Sequence, residues 1–216
     1  MKTDINCIWS VVQKGVPTFL DAVLTEKFDM HNPMPPMNYT WDKPQKGKLI
    51  DFPKDLWLIC KERLLMFDYY PAFNGFIVSS VFLDILNECN MYNQYYQHVK
   101  LNTVSWKGKK VTDKAYHYLI FNEREDIIDH INSEYQIRKG ANMELVHKNG
   151  FGIEKYASIS FSKKAEKSFY QIYDSVFSRY LFCNNQVKQK MNEQKLYGFD
   201  FLEMDELVET FNKRYR

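Results

Sequence analysis

Apolar and polar positions along this chain change period several times, and each change predicts an element. Residues 7–12 (Cys-Ile-Trp-Ser-Val-Val) are an apolar run of strand length. Residues 31–48 hold four prolines and no apolar period. Proline lacks an amide hydrogen and fixes φ, so they predict a loop or linker. An N-terminal strand and proline-rich arm over residues 1–48 is thereby set apart from a main body over 49–216, expected as one compact unit. Residues 56–60 and 64–67 are apolar and flank Lys61-Glu62-Arg63. A helix would fit, but the aromatic and branched side chains favour a strand pair. Residues 76–78 predict a short buried strand, after which Ser79 can accept from an early free amide of the next helix. Phe82, Ile85, Leu86 and Cys89 recur at i, i+3, i+4 and i+7, one apolar stripe on that helix.

Residues 95–106 and 114–121 predict two strands joined through Lys107-Gly108-Lys109. Residues 122–150 are polar, with a short helical piece expected around Ile127, Ile128 and Ile131. Further strands are expected at 156–161, 180–183 and 199–202. Asn184 or Asn185 caps a polar helix running to Glu193, and Met204, Leu207, Val208 and Phe211 share a face of a terminal helix. The segments 76–88 and 181–193 parallel each other at a constant offset: buried strand end, cap residue, helix. The expected class is α+β, a mixed, mainly antiparallel sheet with capped helices packed on it and a possible duplicated strand–helix–strand unit.

Composition narrows the function classes. At 216 residues the chain can bury roughly 70% of its unfolded surface, so a core needs no disulfide or metal. Hydrophobic residues are 45% and charged residues 26%, which excludes disorder. No window approaches the run of about 18 apolar residues that a membrane helix needs. The 29 basic and 27 acidic residues leave +2, no global field for a polyanion. Aromatic content is high, with 16 Phe, 15 Tyr and 4 Trp, but Phe, Tyr, Asn and Lys share AT-rich codons, so genomic base composition accounts for much of it.

Asp4 and Asn6 interrupt the N-terminus, its apolar stretch is short and no small-residue cleavage site follows, so no secretory signal is expected. None of the cysteines at 7, 60, 89 and 183 forms a C-x-x-C pair, and each has apolar neighbours. They are expected as reduced, buried thiols in a cytoplasmic protein. The remaining alternative is a nucleophilic Cys60 beside Lys61. Gly150-Phe151-Gly152 is the only G-x-G, with Lys155 where a third glycine would stand, so no phosphate-cradling loop and no nucleotide cofactor are expected.

Four groups carry candidate chemistry. His98 and His117 fall on the two strands paired across residue 108 and would share a metal or a proton if they faced each other, but no third ligand has matching spacing, so no metal is assigned. Asp126 and His130 are four apart, which on a helix lets a carboxylate orient an imidazole, in a stretch made acidic by Glu123, Glu125 and Asp129. A small hydrolase using such a His/Asp pair is one alternative function. Lys107, Lys109, Lys110 and Lys114 beside Trp106 and Tyr116 suggest single-stranded nucleic-acid binding as another. Near-neutral charge and the scarcity of Arg argue against nucleic acid, and lysine at a turn is ordinary surface. Asp200, Glu203 and Asp205 suit the N-terminus of the last helix through its dipole.

Pro53-Lys-Asp-Leu-Trp-Leu-Ile, Phe67-Asp-Tyr-Tyr, Gly75-Phe-Ile-Val-Ser and Tyr197-Gly-Phe-Asp-Phe resemble the immunity protein 43 family of bacterial polymorphic toxin systems over roughly residues 50–205. The related immunity protein 11 family shares the closing strand, capped helix and "G-F-x-F". The resemblance implies a cytoplasmic antidote that binds and blocks a cognate protein toxin encoded beside it, without catalysis, cofactor, nucleic acid or membrane. It carries no catalytic residues to transfer. Interfaces of this kind usually bury about 1,200–2,000 Å² and enrich Tyr, Trp and Phe at their centre. The expected partner-facing residues are therefore Trp41, Tyr95, Trp106, Tyr116 and Tyr118, with Asp126 and Asp129 from the acidic stretch.

Overall fold

The computed structural model describes residues 4–11, 13–14, 16, 21–32, 39, 41, 43, 48–61, 64–90 and 95–214. Along the chain run β1 (Asn6–Ser10), β2 (Ala22–Thr25), β3 (Leu56–Cys60), β4 (Tyr69–Ala72), β5 (Gly75–Ser79), α1 (Ser80–Cys89), β6 (Tyr96–Ser105) and β7 (Tyr116–Phe121). They are followed by β8 (Glu134–Ile137), α2 (Met143–Asn149), β9 (Ile153–Ser158), β10 (Phe169–Tyr170), β11 (Leu181–Cys183), α3 (Asn185–Asn192), β12 (Phe199–Glu203) and α4 (Met204–Arg214). The class is α+β with mixed, mainly antiparallel sheets, as the pattern predicts. Among the described residues no helix is long and apolar enough to cross a membrane.

The chain divides into two compact units, one of residues 1–9, 124–189 and 201–216, the other of 10–123 and 190–200. Segments before residue 49 enter both: β1 pairs with β11, and β2 pairs with β3. Of the proline-rich segment expected as a linker, Pro33, Pro35, Pro36 and Pro44 lie outside the described residues.

The larger unit is built on a six-stranded sheet of order β2-β3-β6-β7-β5-β4. β3 and β6 are parallel, which requires a long crossover; β4, β5 and α1 lie within it. Leu56, Leu58, Ile77, Tyr116 and Tyr118 of the sheet form a single buried cluster together with Phe67. Elsewhere in the unit the rings of Tyr69, Phe76, Phe82 and Phe199 stack or meet edge to face at 5.4–6.0 Å. The predicted cap is present: Ser79 Oγ accepts from the Phe82 amide at 3.3 Å, and Phe82, Ile85, Leu86 and Cys89 are buried. β4 and β5 form a hairpin closed through Phe73 at φ 58°. A side chain at Gly75 would come within 2.3 Å of the Leu119 carbonyl, so the two strands approach closely only with glycine there.

Residues 64–67 form no strand. Leu65 and Phe67 are buried as an apolar pattern requires, but their backbone is satisfied one group at a time, by the Val111 carbonyl and the Tyr116 hydroxyl. Residues 62–63 of the flanking polar triplet lie outside the described residues.

The smaller unit carries β10, β11, residues 6–9 of β1 and residues 201–203 of β12, from the sheet of order β10-β11-β1-β12, and the β8–β9 hairpin. The helical piece expected around Ile127 to Ile131 is absent. Ile127 and Ile128 are buried, but the Glu125 and Asp129 amides bond laterally to the Gln171 and Ser160 carbonyls, so this stretch is extended. α2 escaped the pattern because it is seven residues long and buries only Val146. Its ends were readable: Asn142 accepts from the Glu144 amide, and Gly150 closes the helix in the left-handed region at φ 68°. Asn184 caps α3 through the Val187 amide at 3.0 Å, as predicted.

Candidate interaction site

Four of the five aromatics expected to face a partner are interior. Tyr116 and Tyr118 are fully buried, and Trp41 and Tyr95 expose 5% and 3%. Tyr116 and Tyr118, two apart on β7, share one face of the strand, and that face is the core. Trp41 donates its indole N–H to Glu26 and packs on Tyr39, Phe52 and Tyr118. Burial, then the nearby Asp68 carboxylate, push the Tyr116 phenol far above its ordinary range. Only Trp106 is partly exposed. Asp126 is exposed, and Asp129 is tied into its own turn, accepting from the Ile131 and Asn132 amides and the Asn132 side chain, which holds its carboxyl below the usual range.

The Asp126–His130 pair does not form, because the stretch is not a helix. His130 Nε2 instead lies 2.8 Å from Asp174 Oδ2, both side chains being buried. The Tyr156 hydroxyl donates to the same oxygen at 2.8 Å, and the Val176 and Phe177 amides donate to Oδ1 at 2.7 and 3.0 Å. Burial and the adjacent carboxylate raise the Tyr156 phenol far above its ordinary range, so it remains a donor. Asp174 is answered on every side and closed from solvent, an arrangement that organises the interior of the smaller unit.

His98 and His117 are diagonal neighbours, His98 opposite Leu119 and His117 opposite Lys100, with ring centroids 5.4 Å apart. Ser80 Oγ lies 3.0 Å from His117 Nε2. Loss of water, then His98 and Lys100, hold the His117 imidazole below its ordinary range, so it is neutral at pH 7. A serine on a neutral imidazole is two parts of a hydrolytic triad. The third would be a carboxylate accepting from Nδ1, and Nδ1 has no hydrogen-bond partner among the described residues. Nor do the described residues contain a group of three or more His, Cys, Asp or Glu placed to hold a metal ion.

All four cysteines are free and buried. Burial, then Cys183, raise the Cys7 thiol well above its ordinary value, the opposite of what a nucleophile needs. Cys60, the last residue of β3, is fully buried despite its lysine neighbour.

The basic run divides in two. Lys114 Nζ lies 2.6 Å from Asp68 Oδ1, so its charge is committed to a buried carboxylate. The others remain at the surface, where Lys61, Ser105, Trp106, Lys107, Lys109, Lys110 and Val111 line a concave pocket of about 520 Å³. The turn that shapes it is fixed from within. Ser105 Oγ accepts from the Lys107 and Lys109 amides, the Ser105 carbonyl accepts from Gly108, and the Trp106 amide bonds to the Cys60 carbonyl. Gly108 sits at φ 69°, where a side chain is disfavoured. Lys61 Nζ stands 5.8 Å from the centre of the Trp106 ring. Asp21 answers Lys61 and Asp113 answers Lys110, whereas Lys107 and Lys109 have no carboxylate partner among the described residues.

Fold and site together define a mixed α+β protein with buried, hydrogen-bonded aspartates and a lysine-lined concavity at a surface turn. The chain belongs to the immunity protein 43 family, whose model matches residues 10–216. No curated protein sequence matches it.

The shared motifs are structural in this chain. Asp68, from Phe67-Asp-Tyr-Tyr, donates its amide to the carbonyl of Tyr197, from Tyr197-Gly-Phe-Asp-Phe, at 2.7 Å, and its Oδ2 accepts from the Tyr197 amide at 2.8 Å. Gly198, at φ 94°, passes so close to Phe67 that an added Cβ would lie 2.8 Å from the Phe67 Cβ. The family match starts well before the first quoted motif and takes in β2, which those motifs omit.

Proposed function

We propose that this chain is a bacterial immunity protein of the cytoplasm that binds a cognate polymorphic or contact-dependent toxin and neutralises it without catalysis. The observation that carries the reading is the family match over residues 10–216. The chemistry of the side chains is compatible with it. The two best-formed polar networks, on Asp174 and on Asp68, are enclosed and serve the fold. The contact that comes nearest to a reaction centre, Ser80 with His117, lacks an acceptor on Nδ1 among the described residues.

The test is to express the toxin domain encoded beside this gene with and without this chain, and to purify the chain against a tagged, inactivated toxin. The expected result is survival and a stable complex of the two proteins. Ser80→Ala and His117→Ala should protect as well as the unaltered chain. Absence of both rescue and complex overturns the reading. Loss of protection in Ser80→Ala and His117→Ala, with the complex intact, would replace it by a hydrolytic one.

A further inference from the structure

The function proposed above leaves open which surface meets the toxin, and three places in the chain compete for that role. The His98–His117 face is one, but its open groups amount to two neutral rings. Exposed Ile137, Met143 and Phe151 beside α2 are another, an apolar patch that specifies no partner chemistry. The pocket at the β6–β7 turn is the third, and it specifies an occupant. Four lysines line it together with one indole, and two of the four, Lys107 and Lys109, are without a carboxylate partner among the described residues.

Resting on the reading of this chain as a toxin-binding protein, we propose that the pocket around Trp106 is the docking socket for an acidic surface segment of the toxin. Carboxylates of that segment would pair with Lys107 and Lys109 while its chain packs on the indole.

The geometry favours this occupant in three ways. The socket is preformed, since Ser105 and the Cys60 carbonyl hold the turn by backbone groups and leave the lysine side chains free, so little ordering is required on binding. Trp106 is half-buried, and its Nε1–H has no acceptor among the described residues. Lys61 stands over the ring with its side chain 64% exposed, so it can swing aside for an arriving carboxylate or carbonyl. Finally, an aromatic anchor ringed by charge is the usual anatomy of an interface centre and rim. A nucleic acid is the weaker fit. The pocket offers a single half-buried ring where single strands need a succession of stacking platforms, and lysines where phosphate recognition favours Arg.

The test measures the affinity of the inactivated toxin domain for four proteins at low and high salt. These are the unaltered chain, Lys107→Glu with Lys109→Glu, Trp106→Ala, and a control carrying Lys139→Glu with Lys164→Glu. The control changes net charge equally, at exposed residues of the other unit. Thermal melts check each fold, and the first double variant should melt as the unaltered chain does because the turn uses only those lysines' backbone. We expect Lys107→Glu with Lys109→Glu to weaken binding at least tenfold and to flatten its salt dependence. Trp106→Ala should weaken binding at least tenfold, and the control should stay within twofold. In a proton–nitrogen spectrum, the Trp106 indole signal should move on adding toxin, while that of Trp41, bonded to Glu26, should not.

Unchanged binding by the pocket variants, with the unaltered chain binding normally, overturns the socket and leaves the function standing. Equal loss in the control also overturns it, because the effect is then net charge. No binding by the unaltered chain overturns both. Tight, salt-sensitive binding of a single-stranded oligonucleotide that the pocket variants lose would assign the socket to nucleic acid instead.

Discussion

Among the described residues each unit of this protein buries one aspartate, and the two are held differently. Asp174 accepts from an imidazole, a phenol and two amides, with His130 and Asp174 both closed to solvent. Asp68 accepts from one amide and one ammonium, and that ammonium belongs to Lys114, whose side chain is 31% exposed. A buried charge is costly unless every lone pair is answered, so both sites must be satisfied. They differ in what remains when the carboxylate is removed. At Asp174 four donors are stranded inside. At Asp68 one amide is stranded and the lysine can turn to water.

The largest expected effect follows from that difference. Asp174→Ala should cost at least about 3 kcal/mol of unfolding free energy, since each stranded buried donor costs roughly 1–3 kcal/mol. Asp68→Ala should cost less, about 1–3 kcal/mol, because Lys114 regains its hydration. Urea denaturation of both variants measures the order. The reverse order would mean that the Asp68–Tyr197 junction, and not the Asp174 network, is the stronger organiser.

A glycine beside each carboxylate sharpens the same comparison. At Gly150, φ is 68° and an added Cβ would lie 2.2 Å from Asp174 Oδ2 and 3.0 Å from His130 Nε2. At Gly198, φ is 94° and the obstacle is Phe67. Backbone strain alone is worth about 1–3 kcal/mol at either site. The added methyl at 150 also displaces the carboxylate, so Gly150→Ala should lose most of what Asp174→Ala loses. The double variant should then be far less unstable than the sum of the two. Additive losses would show that the glycine and the network act independently.

How much of this was legible in the sequence depends on the range of the interaction. Local signals read correctly: the Ser79 and Asn184 caps, the stripe from Phe82 to Cys89, the last helix, and the β6 and β7 strands. Apolar positions also read correctly as buried, even where, as at Leu65 and Phe67, the backbone is not a strand. What failed was partner assignment. A four-residue spacing pairs His130 with Asp126 only on a helix, and this stretch is not one; its partner, Asp174, is 44 residues on. Tyr116 and Tyr118 lie on the expected strand but face the core, because alternation gives two faces and does not say which one is covered. Lys114 and Lys107 are near neighbours in a basic run, and only the fold separates the one that neutralises Asp68 from the one that faces solvent.

The smallest expected effect tests whether the repeated strand–cap–helix pattern is also repeated in energy. Ser79 and Asn184 each accept from the amide three residues on, at 3.3 and 3.0 Å. An N-cap of this kind contributes about 0.5–2 kcal/mol. The environments differ, however. Ser79 is buried, and α1 behind it buries Phe82, Leu83, Ile85, Leu86 and Cys89. α3 is polar, its buried residues being Val187 and Met191, and Asn184 is partly exposed. Removing the Ser79 hydroxyl leaves the Phe82 amide without water, whereas the Val187 amide can be rehydrated. Ser79→Ala should therefore sit near the upper end of that range and Asn184→Ala near the lower, with Ser79→Thr restoring most of the loss. Equal costs would mean that cap geometry alone sets the energy, and that the covering of α1 by the core adds nothing to it.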